Sequence, residues 1–197
     1  DSFLSFERIY KRGRSGIKLL HEMIFAGFGG QGIMVIGQLL AYAGMMENKN
    51  VAWMPAYGPE MRGGTANCTV IVSDNLVGSP VVTEPSALLA MNEPSLNKFE
   101  PMLKKDGVLV LNSSLISKKP KRKDIKVFNI DANHIASELG NTRVANMVTL
   151  GTLLKATQAV DINTVINSLD KVFPNFTDKQ YELNINALYK GIELAKE

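Results

Sequence analysis

The chain has 197 residues but only one cysteine and two histidines. A disulfide needs two thiols and an iron–sulfur cluster normally needs about four protein ligands, so this sequence provides neither. The single cysteine, Cys68, lies in the alternating stretch 66–72, which indicates a half-buried strand, and we expect it to serve packing. The histidines, His21 and His134, have no partner at metal-ligand spacing, so we predict no metal site.

Long apolar runs are also missing from the sequence. No run of about 18 apolar residues exists, and the N-terminus has no apolar segment that ends in small residues. We therefore expect neither a membrane span nor a signal peptide, and we expect a cytoplasmic protein. The length and a hydrophobic content of 45% predict one globular domain.

Charge is close to balanced, with a formal net charge of +3. Residues 1–22 carry five basic and three acidic side chains and lack the apolar periodicity of the rest, so we predict an N-terminal arm or expression extension there. A single domain is expected over residues 23–197. A second basic run, residues 118–123, has no interleaved aromatic side chains, which favours a solvated connection and argues against a nucleic-acid partner.

Short apolar runs alternate with helical patterns along the chain. The runs at 87–91 and 108–111 contain no charged side chain, which indicates strands that are covered on both faces. The sequence thus predicts an α/β, Rossmann-like fold, in which a mostly parallel sheet is covered by helices on both faces. We expect strand 23–28 inside the sheet, and the helical C-terminal third packed on it, with a capping box at Thr177 and Gln180.

The first candidate site is residues 27–32, the sequence Gly-Phe-Gly-Gly-Gln-Gly, which we call the glycine turn. It follows a predicted strand and precedes a predicted helix, where glycines let backbone N–H groups approach a phosphate. A dinucleotide site also needs a carboxylate about 20 residues further on, and residues 51–56 contain none. An anion site is therefore favoured, although the glycines could equally serve close packing of the helix on the sheet.

The second candidate site is residues 57–65, which contain Arg62 followed by two glycines and which we call the arginine loop. An arginine and adjacent N–H groups can converge on a phosphate or carboxylate, whereas the alternative is a structural ion pair with Glu60. The loop follows the second strand, which we take as parallel, so we expect it at the same edge of the sheet as the glycine turn. Residues 112–114 should reach that edge too.

Taken together, these segments resemble the gamma subunit of 2-oxoacid:ferredoxin oxidoreductases. The matching stretches are GFGGQGIM, WMPAYGPEMRGGTANCTVIVSD and NTRVANMVTLGTLL, in that order, and the resemblance extends over roughly residues 23–190. Within the family the chain is most similar to the 2-oxoglutarate type, while pyruvate, branched-chain 2-oxoacid and indolepyruvate relatives share much of the pattern.

The resemblance implies one subunit of an enzyme that converts 2-oxoglutarate, coenzyme A and oxidised ferredoxin to succinyl-CoA, CO2 and reduced ferredoxin. Thiamine diphosphate, magnesium and iron–sulfur clusters would belong to partner alpha, beta and delta subunits, and no catalytic residue is expected in this chain. Matching the motifs residue by residue, the implied contacts to coenzyme A are Gly29, Gly30, Gln31, Gly32, Arg62, Gly63 and Gly64.

Two alternatives remain open at this point. The chain could be a non-catalytic scaffold subunit of a pyruvate, branched-chain 2-oxoacid or indolepyruvate ferredoxin oxidoreductase, with its glycines serving packing and assembly. A free-standing nucleotide-binding oxidoreductase is the other alternative, and the missing ribose carboxylate counts against it.

Overall fold

The computed structural model describes residues 19–57 and 65–197. Its strands are β1 (Leu20–Phe28), β2 (Asn50–Tyr57), β3 (Thr65–Ser73), β4 (Ala87–Ala90), β5 (Val108–Asn112) and β6 (Lys126–Ile130). Its helices are α1 (Ile33–Met46), α2 (Glu93–Phe99), α3 (Ala132–Glu138), α4 (Ala145–Thr157), α5 (Ile162–Asn167), α6 (Leu169–Val172) and α7 (Asp178–Leu194). No helix of this described part is long and apolar enough to cross a membrane.

The strands form one sheet in the order β2-β3-β1-β4-β5-β6. Strands β1, β4, β5 and β6 are parallel to one another, and β1 lies inside the sheet, as predicted. Strand β3 runs antiparallel to both β1 and β2. Its direction follows from chain length, because only residues 58–64 join β2 to β3, and a parallel neighbour would need a crossover of about a dozen residues or more.

Strand β2 continues through a proline. The sequence predicts a strand over residues 51–54 and a loop from Pro55 onward, but Pro55 lies within β2, opposite Cys68 of β3. Proline has no N–H group to donate to a neighbouring strand. An edge strand tolerates a proline whose nitrogen faces the unpaired side of the strand, because no hydrogen bond is lost there. Because β2 is such an edge strand, the proline does not end it.

Strand β1 starts earlier than predicted, and this changes the boundary of the expected N-terminal arm. Residues 20–22 belong to β1, where Leu20 lies opposite Ser73 at the end of β3. The start is held by Asp74, whose carboxylate accepts from Leu19 N–H at 2.7 Å and pairs with Lys49 Nζ at 2.8 Å. The remainder of the predicted arm, residues 1–18, lies outside the described residues.

The two faces of the sheet support separate apolar cores, as expected for a sheet covered on both sides. Met23 and Phe25 of β1 face the larger core, which they share with side chains of α1, α4 and α7. Ile24 and Ala26 face the smaller core, which contains side chains of α2 and of the segment that follows β5. Successive side chains of β1 thus face opposite sides of the sheet, with α1 on one side and α2 on the other.

The C-terminal third packs on the larger core, as predicted, and the capping box at Thr177 and Gln180 begins α7. The sequence pattern predicts one helix from Asp161 to about Phe173, but the structure splits this segment into α5 and α6 at Ser168. The Ser168 hydroxyl donates to the Thr164 carbonyl oxygen at 2.7 Å, a local bond that bends helices.

Helices α4 and α7 touch through their backbones. A Cβ added at Gly191 would lie 2.0 Å from the Val148 carbonyl oxygen, and one added at Gly151 would lie 2.1 Å from that of Leu188. The Thr152 hydroxyl donates to the Gly191 carbonyl oxygen at 3.0 Å across the same contact. Further along both helices, Lys155 Nζ donates to the Ala195 carbonyl oxygen at 3.3 Å, so α4 and α7 run parallel.

We predict that Gly191→Ala destabilises the chain, because the new methyl group forces α7 away from α4. Overpacking of this kind costs about 1–3 kcal/mol, which urea unfolding followed by circular dichroism would measure. Gly78→Ala is the matched control, since no heavy atom lies within 4 Å of its added Cβ, and it should change stability by less than about 0.5 kcal/mol. Equal midpoints for the two variants would contradict the backbone contact.

Candidate functional site

The glycine turn lies where β1 ends and α1 begins. Phe28 is the last residue of β1, and Gly32 is the N-cap of α1 in the left-handed conformation. Gly30 and Gly32 have φ values of +93° and +73°, a region that residues with a Cβ adopt with strain. The predicted requirement for glycine is therefore met at these two positions.

Backbone N–H groups of the turn are free to bind a ligand. Within the described part of the chain, the N–H groups of Gly30, Gly32 and Ile33 donate no hydrogen bond. The first turn of α1 holds no acidic residue, and its N-cap has no side-chain hydrogen bond. Unpaired N–H groups and the positive end of the helix dipole together favour an anion at this position.

Gln31 differs from its neighbours because its polar groups are engaged within the chain. Its Oε1 accepts from Phe28 N–H at 2.6 Å, and its Nε2 donates to the Met91 carbonyl oxygen at 3.4 Å. Its backbone N–H donates to the Phe28 carbonyl oxygen at 3.2 Å. Of the four glycine-turn residues matched to a ligand role, Gln31 is thus the one whose side chain and backbone N–H both bind the protein itself.

A second contact to the turn comes from Asn146, which the sequence interpretation did not include in the site. Asn146 Nδ2 lies 3.5 Å from the Gly32 carbonyl oxygen, and a Cβ added at Gly32 would lie 2.3 Å from that nitrogen. Asn146 is in the first turn of α4, so the N-termini of α1 and α4 are adjacent. Its segment was part of the quoted family pattern, but nothing in the sequence alone placed it beside Gly32.

The neighbouring strands β1 and β4 send their following helices to opposite faces of the sheet. Ile33 and Ile36 of α1 pack in the larger core, whereas Leu96 and Phe99 of α2 pack in the smaller one. Ligands of open α/β sheets bind at such a switch point, beyond the carboxyl ends of the strands. The glycine turn lies at this point, and Met91, which follows β4, borders it.

Of the arginine loop, only the end residues Tyr57 and Thr65 belong to the described part of the chain. Arg62, Gly63 and Gly64 lie outside the described residues, so their predicted role is not tested by the geometry. The flanking strand residues do reach the expected edge, because Thr65 lies opposite Phe28 and Ala66 lies opposite Tyr57. In addition, β3 separates β2 from β1, so the end of β2 is not beside the glycine turn as dinucleotide binding requires.

Residues 112–114 reach the carboxyl edge, as predicted, but they form a closed cluster there. Asn112 is fully buried, and its Nδ2 donates to Asn133 Oδ1 at 2.8 Å. The Ser114 hydroxyl donates to an Asp131 carboxylate oxygen and accepts from Asn133 N–H at 2.9 Å. These bonds fasten the ends of β5 and β6 to each other.

Cys68 and His134 both contact other residues of the chain. Cys68 is completely buried, and its thiol lies 3.7 Å from the Ile33 carbonyl oxygen, which confirms the predicted packing role. Burial raises the pKa of the Cys68 thiol to about 12. His134 is on the surface of α3, with its Nε2 3.5 Å from Glu138 Oε1.

Residues 22–194 match the family model described as pyruvate ferredoxin/flavodoxin oxidoreductase. The chain belongs to this family. The resemblance inferred from the glycine turn, the arginine loop and the segment around Asn146 is thereby confirmed at the level of the family.

Curated relatives carry names of this family's gamma-type and related subunits. The chain is 35% identical over 173 residues to ketoisovalerate oxidoreductase subunit VorA of Methanothermobacter marburgensis, covering 87% of this chain and 36% of the relative. It is 33% identical over 184 residues to 2-oxoglutarate synthase subunit KorC of Methanocaldococcus jannaschii, covering 92% of this chain and 97% of the relative. The chain thus spans about a third of the VorA relatives and nearly all of the KorC relative.

Solved structures in the family have the same fold. The keto/oxoacid ferredoxin oxidoreductase gamma subunit from Geobacter sulfurreducens superposes with a TM-score of 0.78 at 29% identity, covering 90% of this chain and 99% of that one. The 2-oxoglutarate:ferredoxin oxidoreductase from Magnetococcus marinus superposes with a TM-score of 0.82 at 23% identity, covering 91% of this chain and 31% of that one. The α/β fold predicted from sequence is confirmed.

We predict that Cys68 is inert in the folded chain. A pKa of about 12 leaves roughly one thiol in ten thousand ionised at pH 8, and the thiolate is the reactive form. Iodoacetamide at pH 8 should leave the folded chain unlabelled and should label it fully in urea, as read by mass spectrometry. Rapid labelling of the folded chain would contradict the buried position.

Proposed function

We propose that this chain is the gamma subunit of a 2-oxoacid:ferredoxin oxidoreductase and that it helps to bind coenzyme A near the thiamine site of partner subunits. The observation that carries the proposal is the set of free N–H groups of the glycine turn, at the switch point between β1 and β4. Coenzyme A carries a diphosphate and a ribose phosphate, which are anions of the kind that such a site favours.

The proposed reaction converts 2-oxoglutarate, coenzyme A and oxidised ferredoxin to succinyl-CoA, CO2 and reduced ferredoxin. A carbon–carbon bond breaks to release CO2, and the S–H bond of the coenzyme is replaced by a carbon–sulfur bond with release of its proton. The two electrons left by this oxidation pass to oxidised ferredoxin. The choice of 2-oxoglutarate is supported by the relatives named 2-oxoglutarate synthase, among other relatives named for ketoisovalerate and pyruvate. The Magnetococcus enzyme, which has the same fold, was solved with 2-oxoglutarate, coenzyme A and succinyl-CoA bound.

Partner subunits would supply the redox chemistry of this reaction. One buried cysteine does not fit an iron–sulfur cluster, which normally takes about four cysteine ligands. We therefore assign the clusters, thiamine diphosphate and its magnesium to partner alpha, beta and delta subunits in the cytoplasm. In this chain the proposed contacts to coenzyme A are the N–H groups of the glycine turn together with Arg62, Gly63 and Gly64.

Chain connectivity supports a joint role for the two loops. Arg62 is three positions before Thr65, a separation that a fully extended chain spans in roughly 11 Å. Thr65 lies opposite Phe28, the last residue before the glycines. With only two residues between Arg62 and Thr65, an arginine side chain is long enough to reach an anion bound at the glycine turn.

We predict that Arg62→Ala raises the KM for coenzyme A without changing the KM for the 2-oxoacid. Loss of a charge-assisted hydrogen bond costs about 1.5–3 kcal/mol, which is roughly a 10- to 150-fold rise in KM. Steady-state kinetics on the reconstituted complex would measure both constants, with gel filtration to check assembly. Arg62→Lys keeps the charge but loses the bidentate fork, so recovery in this variant would indicate a simple electrostatic contact.

Lys105→Ala is the control for that experiment. Lys105 is exposed in the turn that precedes β5, at the edge of the sheet opposite the glycine turn, so removing its charge should leave both KM values unchanged. An unchanged KM for coenzyme A in an assembled Arg62→Ala complex would refute the phosphate site. Impaired assembly with normal affinity for coenzyme A would support the scaffold alternative instead.

We also predict that the isolated chain is catalytically silent. It holds a single cysteine and no acidic or histidine cluster among its described residues that could bind a metal, so the redox steps need partner subunits. The purified chain should not reduce a viologen dye when given 2-oxoglutarate and coenzyme A, whereas the reconstituted complex should. Dye reduction by the chain alone would contradict the proposed division of tasks.

A further inference from the structure

Gln31 is the residue through which the glycine turn is attached to the neighbouring strand. Its Oε1 accepts from Phe28 N–H at 2.6 Å, which closes the turn on itself. Its Nε2 donates to the Met91 carbonyl oxygen at 3.4 Å, just beyond the end of β4. One side chain therefore links the ends of the two strands that flank the switch point.

Space for this link is provided by Gly27. A Cβ added at Gly27 would lie 2.5 Å from Gln31 Oε1 and 3.0 Å from Met91 Cβ. Gly27 has no positive φ that would require glycine for backbone reasons. The absence of a side chain at Gly27 is therefore explained by the room that Gln31 occupies beside β4.

Little else supports the tip of the turn. Gly29 and Gly30 are exposed, and no heavy atom lies within 4 Å of a Cβ added at Gly30. Because glycine has the largest backbone freedom, an unsupported pair of glycines would sample many conformations. The two bonds of the Gln31 amide fix the turn at its base before any ligand arrives.

From these contacts we propose that Gln31 is a positioning residue, which holds the free N–H groups of Gly30 and Gly32 in place for the phosphates of coenzyme A. This rests on the proposed function of the turn, and it changes the role of Gln31 from direct ligand contact to support. A turn that is ordered in advance binds more tightly because less conformational entropy is lost on binding. The effect therefore falls on binding of the coenzyme and not on turnover.

The test uses the reconstituted complex and the variant Gln31→Met, which keeps the length of the side chain and removes both bonds. Adenosine 3′,5′-bisphosphate, a phosphate-bearing fragment of coenzyme A without its thiol arm, serves as a competitive inhibitor. We expect roughly tenfold increases in both the KM for coenzyme A and the inhibition constant, with kcat unchanged. Gln38→Met, at an exposed position of α1, is the matched control and should change neither constant.

Hydrogen exchange in the ligand-free chain separates support from direct contact. The Phe28 amide should exchange slowly in the wild type and faster in Gln31→Met. In Gln31→Glu it should stay slow, because the carboxylate still accepts from Phe28 N–H while the bond to Met91 is lost. Equal Phe28 exchange in the wild type and Gln31→Met would overturn the positioning role. Gln31→Leu, which also removes both bonds, makes this measurement available if Gln31→Met folds poorly.

The kinetic outcomes also separate this inference from the proposed function. If Arg62→Ala raises the inhibition constant and Gln31→Met does not, the positioning role is wrong and the phosphate site stands. If neither variant changes the inhibition constant, the nucleotide phosphates bind elsewhere and the proposed function fails with the inference. A rise of similar size in the inhibition constant and in the KM for coenzyme A supports the positioning role.

Discussion

Strand β1 is hydrogen-bonded to β3 along its whole length on one side and to β4 on the other. Its side chains alternate between two separate cores, with Phe25 in the larger and Ala26 in the smaller. Both edges and both faces of the strand are therefore occupied, and any shift of register would move apolar side chains to the wrong core. The end of β1 at Phe28, where the glycine turn begins, is consequently held in one position.

The turn that follows β1 carries partial positive charge without nearby carboxylates in the helices that border it. The α1 N-terminus and its preceding glycines present unpaired N–H groups, the α4 N-terminus is adjacent through Asn146, and neither helix has an acidic residue in its first turn. Proteins commonly neutralise such helix ends with a capping side chain, as Thr177 does for α7. The missing cap at the start of α1 leaves unpaired N–H groups that water or an anion can satisfy.

Much of the fold could be predicted from the sequence, because uninterrupted apolar runs such as residues 108–111 reveal strands that are buried on both faces. The direction of β3 was missed, although the short connection of residues 58–64 carried the signal. The bond from Gln31 to Met91 spans 60 residues and the contact from Asn146 to Gly32 spans 114. Contacts of that range depend on tertiary packing, and no local pattern in the sequence encodes them.

The antiparallel return of β3 has a consequence for how such a chain can diversify. Residues 58–64 leave the sheet at Tyr57 and rejoin it at Thr65, and both of these residues are held by strand pairing at the same edge. A parallel crossover would instead tie any change in its length to the packing of a helix. Here the pairing of Tyr57 and Thr65 keeps the register of the sheet when residues between them are inserted or replaced, so the arginine loop can change without a change in the strands that carry it.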